Sequence, residues 1–292
     1  LILILIKNIL TLYMAGFLVD IVSDLHIDQW DNKIDNKYPC GLIGNCPYNF
    51  STRTANILIV AGDLSDNIDI SIEYLNRLSG NYDKILFVDG NHEHVHRYPS
   101  LFSIKEINEK VKKLNNDKLI YLPENDFILD GTVFIGACGW WDYNKKTNLE
   151  NHIHYFKEWI PHFNKNDNLE FIDNVYKQSV EEGDILKEKI EKYNKDDTIN
   201  NIILVTHTVP LKECCDQSHI SESYETQLNS KLNMLVKEKN KISHWIFGHT
   251  HDHYEFFKHD IYFLCNPRGR PEDFNRENYN LKTVSLSKKS NL

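Results

Sequence analysis

Seven side chains able to bind a metal ion stand in five separated stretches of this chain: Asp24 and His26, Asp63, Asn91, His207, and His249 with His251. The stretches read Asp24-Leu25-His26, Gly62-Asp63-Leu64-Ser65-Asp66, Gly90-Asn91-His92-Glu93, Thr206-His207 and Gly248-His249-Thr250-His251. No cysteine is among them. Imidazole, carboxylate and amide donors together suit Mn²⁺, Fe or Zn²⁺ in a reactive site, not a Cys-bound structural zinc. One ion would be over-coordinated by all seven donors, whereas two ions sharing a carboxylate keep positions open for water and substrate. Dications about 3.5–4 Å apart stabilise the attacking and departing oxygens of phosphoryl transfer together.

Each stretch follows an apolar run that reads as a β-strand: Phe17–Ser23, Asn56–Ala61, Lys84–Val88, Asn201–Val205 and Ser243–Phe247. Strand ends that project polar groups into a crevice are where open sheets place ligand sites. Singly, the blocks have plainer explanations. Asp63 and Asp66 fit a turn entering a helix, Asn91 after Gly90 fits a turn, and His26 or His207 fits a core or loop histidine. Their co-occurrence at strand ends points to a metal site. Asp66 is placed to cap a helix over Ile68–Leu78.

The ordered string Asp-x-His, Gly-Asp-x-x-Asp, Gly-Asn-His-Glu, His, Gly-His-x-His resembles the calcineurin-like metallophosphoesterase superfamily, from Asp24 to His251. The resemblance implies an α/β (α+β) fold of two packed mixed sheets flanked by helices, a four-layer sandwich. It implies a first metal held by Asp24, His26, Asp63 and His251. Asp63 would bridge to a second metal completed by Asn91, His207 and His249. His92 takes the place of the catalytic histidine, and Asp66 that of the carboxylate orienting it. The implied reaction is hydrolysis of a phosphate mono- or diester by a metal-bridging hydroxide attacking in line, with Asn91 on the phosphate and His92 as general acid. Mn²⁺ is the expected ion, with Fe or Zn²⁺ as alternatives.

Departures narrow the substrate. Protein phosphatases of the superfamily carry arginine where this chain has Asn67, and arginine where it has Asp89. Its nucleases usually read Gly-Asn-His-Asp, where this chain has Glu93. A net charge of −9 also argues against an extended duplex nucleic acid partner. A small phosphorylated substrate is the expectation. The rivals are a nuclease of the same superfamily, a zinc-dependent amide hydrolase, and a non-catalytic interaction scaffold on the same fold. A scaffold has no need of His92 together with all seven ligands.

Three further residues are candidates for substrate contact. His94 extends the Gly90–Glu93 loop, with a solvated histidine as the alternative. Trp141 lies in Trp140-Trp141-Asp142-Tyr143, where it either lines the approach to the metals or packs in the core. Arg268 lies in Cys265-Asn266-Pro267-Arg268-Gly269, after what reads as the last strand, and is either a phosphate contact or an exposed arginine. That ending resembles a branch of cytosolic family members from bacteria and large DNA viruses.

The chain has 292 residues, enough for one large domain or a domain with an insertion. The expectation is one domain over 14–292 with an insertion at about 139–197. Leu1–Tyr13 is apolar, precedes Met14 and is interrupted by Lys7-Asn8, so it reads as extra sequence rather than a membrane span or signal peptide. Six cysteines without Cys-x-x-Cys or framework spacing read as reduced thiols of a cytoplasmic protein. Cys40 and Cys46 flank a loop within Asp28–Thr54, and adjacent Cys214 and Cys215 are not expected to share one apolar pocket. Leu101–Leu114 has helical spacing. Asp130-Gly131 and His259-Asp260 read as turns of two hairpins, the first of type I′. Glu170–Tyr193 carries pairs such as Glu188 and Lys192 and reads as a solvated helix.

Overall fold

The structure is a computed structural model that describes residues 17–30, 53–147, 164–215, 227–236, 240–273 and 279–286. The apolar start of the chain and the segment with Cys40 and Cys46 lie outside these residues. Eleven strands form two sheets among them. The first has the order β11-β1-β2-β3-β4, with β1 Phe17–Val22, β2 Ile57–Ala61, β3 Lys84–Val88, β4 Leu119–Tyr121 and β11 Lys282–Leu286. The second has the order β5-β6-β7-β8-β10-β9, with β5 Phe127–Leu129, β6 Thr132–Ala137, β7 Asn201–Thr206, β8 Ile242–Phe247, β9 Tyr254–Lys258 and β10 Ile261–Cys265. β1 to β4 are mutually parallel, as are β6, β7, β8 and β10; β11, β5 and β9 are antiparallel edges.

Four layers result. The sheets face each other through Val19, Ile21, Ile59, Leu86 and Val88 on one side and Phe134, Ile203, Val205, Ile246 and Leu264 on the other. Alternate residues of the same strands point outward under helices. On the first sheet, Leu58, Val60, Ile85 and Phe87 meet α1 (Ile68–Leu78) and α2 (Ile104–Lys112). On the second, Val133, Ile135, Leu204 and Trp245 meet α3 (Lys165–Lys195). Strands buried on both faces must be apolar nearly throughout, which is why the runs are continuous instead of alternating. A shorter α4 spans Ser230–Leu235.

Several expectations are refined. Asn67, not Asp66, caps α1, accepting the Asp69 N–H at 2.8 Å. α2 starts at Ile104, later than its apolar spacing suggests, because Ser103 and Glu106 form a reciprocal capping box. Cys214 and Cys215 are both buried in one apolar cluster, contrary to expectation. The three-residue turn of Lys212–Cys214 lets them enter it together. β10 is not the last strand, since β11 pairs antiparallel with β1. Both hairpin turns have positive φ at both central residues, as type I′ geometry requires.

The expectation of a solvated helix holds for one face only of α3. Glu188 and Lys192 are exposed, but Phe171, Ile172, Val175, Leu186, Ile190 and Tyr193 are buried. Among them lies the fully buried carboxylate of Glu182, which accepts the N–H groups of Gly139 at 2.6 Å and Trp140 at 3.2 Å. It thereby holds the turn after β6 against the helix.

Burial, reinforced by the charge of Asp89, pushes the Glu182 carboxyl up to about 8. A carboxyl raised on folding contributes stability that is full below its unfolded value and is lost as pH rises through the folded one. Wild-type stability is therefore expected to fall across about pH 4.5 to 8, and Glu182→Gln to flatten that fall while keeping both N–H contacts. Denaturant unfolding of both proteins at several pH values checks this; identical pH profiles would count against it.

Candidate metal centre

The carboxyl ends of β1, β2 and β3 in one sheet and of β7, β8 and β10 in the other meet along one rim. Backbone hydrogen bonds join them: Asp24 N–H to Gly62 O at 3.0 Å, Ser23 N–H to Asn266 O at 3.1 Å, and Gly248 N–H to His207 O at 2.9 Å. Across the sheets, His207 Nδ1–H donates to Ala61 O at 2.9 Å. That bond fixes the ring and turns Nε2 toward the rim.

The chain must turn sharply at each strand end to aim a side chain back into the rim. Asp24, His26, Asp63, His249 and His251 all have positive φ, between 41° and 77°. This left-handed region is sparsely used by non-glycine residues and costs of order 1–3 kcal/mol each, so it marks a site over-determined by its surroundings. Gly62 and Gly90 are required by close approach. A Cβ on Gly90 would stand 2.2 Å from Asp63 Oδ1, and one on Gly62 would stand 2.6 Å from His207 Nδ1 at a φ of +80°.

All seven predicted ligands are brought together. On one side His26 Nε2 lies 3.0 Å from His251 Nε2, with Asp24 Oδ1 3.7 Å from the latter. On the other, Asn91 Oδ1 lies 3.0 Å from both His207 Nε2 and His249 Nδ1, and these nitrogens are 3.2 Å apart. Asp63 Oδ2 is 3.2 Å from His207 Nε2, and Asp63 bears electrostatically on Asp24 and His26 in the first group. Asp24 Oδ2 and His26 Nδ1 are buried with no hydrogen-bond partner among the described residues. Converging lone pairs and an orphaned carboxylate oxygen fit cations and little else. Three groups of donors are close enough to hold an ion: Asp24, His26 and His251; Asp63, His207 and His249; and His26, Asp66 and His92, which shares His26 with the first.

Without cations, protons take their place. Burial lowers the affinity of His207 for a proton, but Asp63 and Asp24 outweigh burial and push its pKa up to about 10. Burial would likewise raise Asp63, yet His207, His92 and His26 hold it well below the usual carboxylate range. His249 is driven down to about 3 by burial and by His207, so it stays neutral with a lone pair available.

Beside the cage, outside the seven, sits His92. Its Nδ1 is 2.6 Å from Asp66 Oδ1 and its Nε2 is 3.9 Å from Asp63 Oδ2. Burial lowers its pKa, but Asp63 and Asp66 raise it further, above the ordinary value.

The profile of the calcineurin-like phosphoesterase family matches residues 17–253. This chain belongs to that family. It is therefore a metal-dependent hydrolase of phosphate esters. An uncharacterised protein of Acanthamoeba polyphaga mimivirus is 27% identical over 279 residues, covering 89% of this chain and 92% of its own. The fold is similar to that of a phosphopantetheinyl hydrolase from Mycobacterium tuberculosis, with a TM-score of 0.61 and 18% identity over 92% of this chain and 96% of that one. It is also similar to a dimetal phosphatase from Danio rerio, with a TM-score of 0.55 and 14% identity over 93% of each chain.

In this phosphoesterase, other residues carry the ligands. The buried Glu93 carboxylate accepts the N–H groups of Asp63, Leu64, Ser65 and Gly90, at 3.1, 2.7, 3.3 and 2.7 Å, and the Ser71 hydroxyl at 2.8 Å. It clasps the loops after β2 and β3 together. Asp273 Oδ2 accepts from His251 Nδ1 at 2.6 Å and from the Arg270 N–H at 2.7 Å. Arg270 Nη2 donates to His92 Nε2 at 2.7 Å. Neither Asp273 nor Arg270 belongs to a readable motif. Their distance from the other blocks in sequence hides them.

The three predicted substrate contacts are placed differently. His94 is buried; its Nε2 meets Asp89 Oδ2 at 2.8 Å and its Nδ1 accepts the Phe102 N–H at 3.0 Å. Both nitrogens are used internally, so it is neither solvated nor available to a substrate. Arg268 is not exposed either: it is 1% accessible and stacks 3.8 Å from the Trp30 ring. Trp141 is buried, but its ring lies 5.6 Å from that of His249 and so walls the metal side of the rim.

Metal uptake by the ion-free protein is expected to release about one proton per chain near neutral pH, because His207 must lose the proton that Asp63 stabilises. Titration calorimetry in buffers of different ionisation enthalpy measures this. Heats that do not depend on the buffer would contradict it.

Proposed function

We propose that this protein hydrolyses a small phosphate mono- or diester with two divalent ions in the rim and His92 as general acid. Asp24, His26 and His251 would hold one ion, Asn91, His207 and His249 the other, and Asp63 both. Mn²⁺ is the ion assigned, on a donor set of imidazole, carboxylate and amide without thiolate. When bound, the ions activate water and neutralise charge on the phosphoryl oxygens. The chain does the rest. Asn91 and the rigid loop at Gly90 hold the phosphate-facing geometry. The Asp66 carboxylate takes the Nδ1–H of His92 and favours the imidazolium, leaving Nε2–H to be given to the departing oxygen.

The observation that carries this reading is the Asp66–His92 pair at 2.6 Å beside the seven expected ligands. A purely structural metal cage needs no such pair. Support for a small substrate comes from the family and from the two solved relatives, whose names describe a phosphopantetheinyl hydrolase and a dimetal phosphatase. The described cysteines are all buried, in keeping with the cytoplasmic setting assigned here. No helix among the described residues is long and apolar enough to cross a membrane.

His92→Asn is expected to lower kcat by about two to four orders of magnitude for an alkyl phosphate. The loss should shrink for an aryl ester whose leaving oxygen needs little protonation, and metal content should stay at the wild-type level. Steady-state kinetics with both esters, alongside elemental analysis, tests this. Equal losses on the two esters would remove the general-acid role, and loss of metal would make His92 a ligand.

A further inference from the structure

Arg270 touches the machinery of the rim yet holds no metal-binding atom in place with its side chain. Its Nη2 donates to His92 Nε2 at 2.7 Å, the nitrogen that faces Asp63 Oδ2 at 3.9 Å. A guanidinium is always a donor, so it stands where a departing or terminal phosphate oxygen would stand. Its backbone is fixed. The Arg270 N–H is bound to Asp273, which also binds His251, and the Gly269 N–H is bound to Asp24 O at 2.9 Å. The segment bearing the guanidinium is thus tied to two of the ligands it overlooks.

Arg270 is also uncompensated. No carboxylate among the described residues forms an ion pair with its guanidinium, and its Nε is buried with no hydrogen-bond partner among them. A fixed cation beside groups that gather two dications is unfavourable unless an anion lies between. Arg268 is placed differently, buried and stacked on Trp30.

We propose that Arg270 binds an unesterified oxygen of the substrate phosphate and biases the site toward monoesters over diesters. This rests on the phosphoesterase reading and adds the substrate class to it. A monoester presents three terminal oxygens and up to two charges; a diester presents two oxygens and one charge. The excess oxygen and charge of the monoester are what a guanidinium fork recognises. Substrate would draw the guanidinium from His92 Nε2 to the phosphate; that nitrogen, an acceptor while Arg270 donates to it, would then take up a proton from solvent and pass it to the leaving oxygen.

The test uses the metal-loaded full chain and two probes, inorganic phosphate and dimethyl phosphate, with binding read by calorimetry. Wild type should bind inorganic phosphate more tightly. Arg270→Gln should weaken inorganic phosphate by ~10–100-fold, the loss of a charge-assisted hydrogen bond, and dimethyl phosphate far less, with unchanged metal content. In parallel, the preference for 4-nitrophenyl phosphate over bis(4-nitrophenyl) phosphate should fall. Unchanged phosphate binding, or equal weakening of both probes, overturns the assignment. Should Arg270→Gln lose metal or fold poorly, Arg270→Lys decides: it keeps the charge without the fork, and phosphate binding equal to wild type would again overturn it. A wild type that holds two metals but turns over neither ester contradicts the phosphoesterase reading, while the binding comparison still decides the role of Arg270.

Discussion

Lone pairs of buried donors that face one another repel, and the rim gathers them at hydrogen-bond distance. His207 Nε2, His249 Nδ1 and Asn91 Oδ1 lie within 3.2 Å of one another, and one oxygen of the buried Asp24 has no donor among the described residues. Removing such groups from water costs several kcal/mol unless a cation or proton lies among them. Most features around the rim follow from keeping this arrangement intact. Five ligands accept left-handed backbone, and two glycines permit approaches that a methyl group would block. Metal binding would offset that strain at the ligand positions, whereas left-handed residues elsewhere, such as Asp130, His259 and Asp260, lie in turns.

The same constraint gives the carboxylates around the cage their tasks. Glu93 spends its oxygens on backbone N–H groups of two ligand loops and on Ser71, so it fixes loops without competing for the ions. Asp273 fixes the His251 ring, and Asp66 fixes the His92 ring. A carboxylate behind an imidazole sets both its tautomer and its basicity. Glu182 works one layer further out, holding the turn that carries Trp140 and Trp141 beside His249. Helix α3 thus reaches the rim through Glu182, and α1 through Ser71 and Glu93.

Much of the scaffold was legible because the signals are local. Apolar runs ending in Gly-Asp, Gly-Asn or Gly-His mark strand ends, and Asp130-Gly131 marks a hairpin, by backbone preferences that depend on few neighbours. The convergence of the seven ligands was legible from their order and their common position after strands. Tertiary choices were not. Asp66 and Asn67 are both good caps, and only the position of His92 claims Asp66. Arg268 and Arg270 are two residues apart and chemically alike, yet Trp30, distant in sequence, captures the first and leaves the second at the rim. The charged face of α3 masked a buried one because its apolar residues are sparse. His94 was taken by Asp89 and Phe102, partners that no spacing announces.

The most direct measurement of the central claim is anomalous X-ray diffraction from crystals of the full chain equilibrated with Mn²⁺. Two peaks are predicted in the rim, one contacting Asp24, His26 and His251 and the other Asn91, His207 and His249, with Asp63 touching both. A single peak, or peaks that leave Asp63 uncoordinated, would contradict a shared two-metal centre.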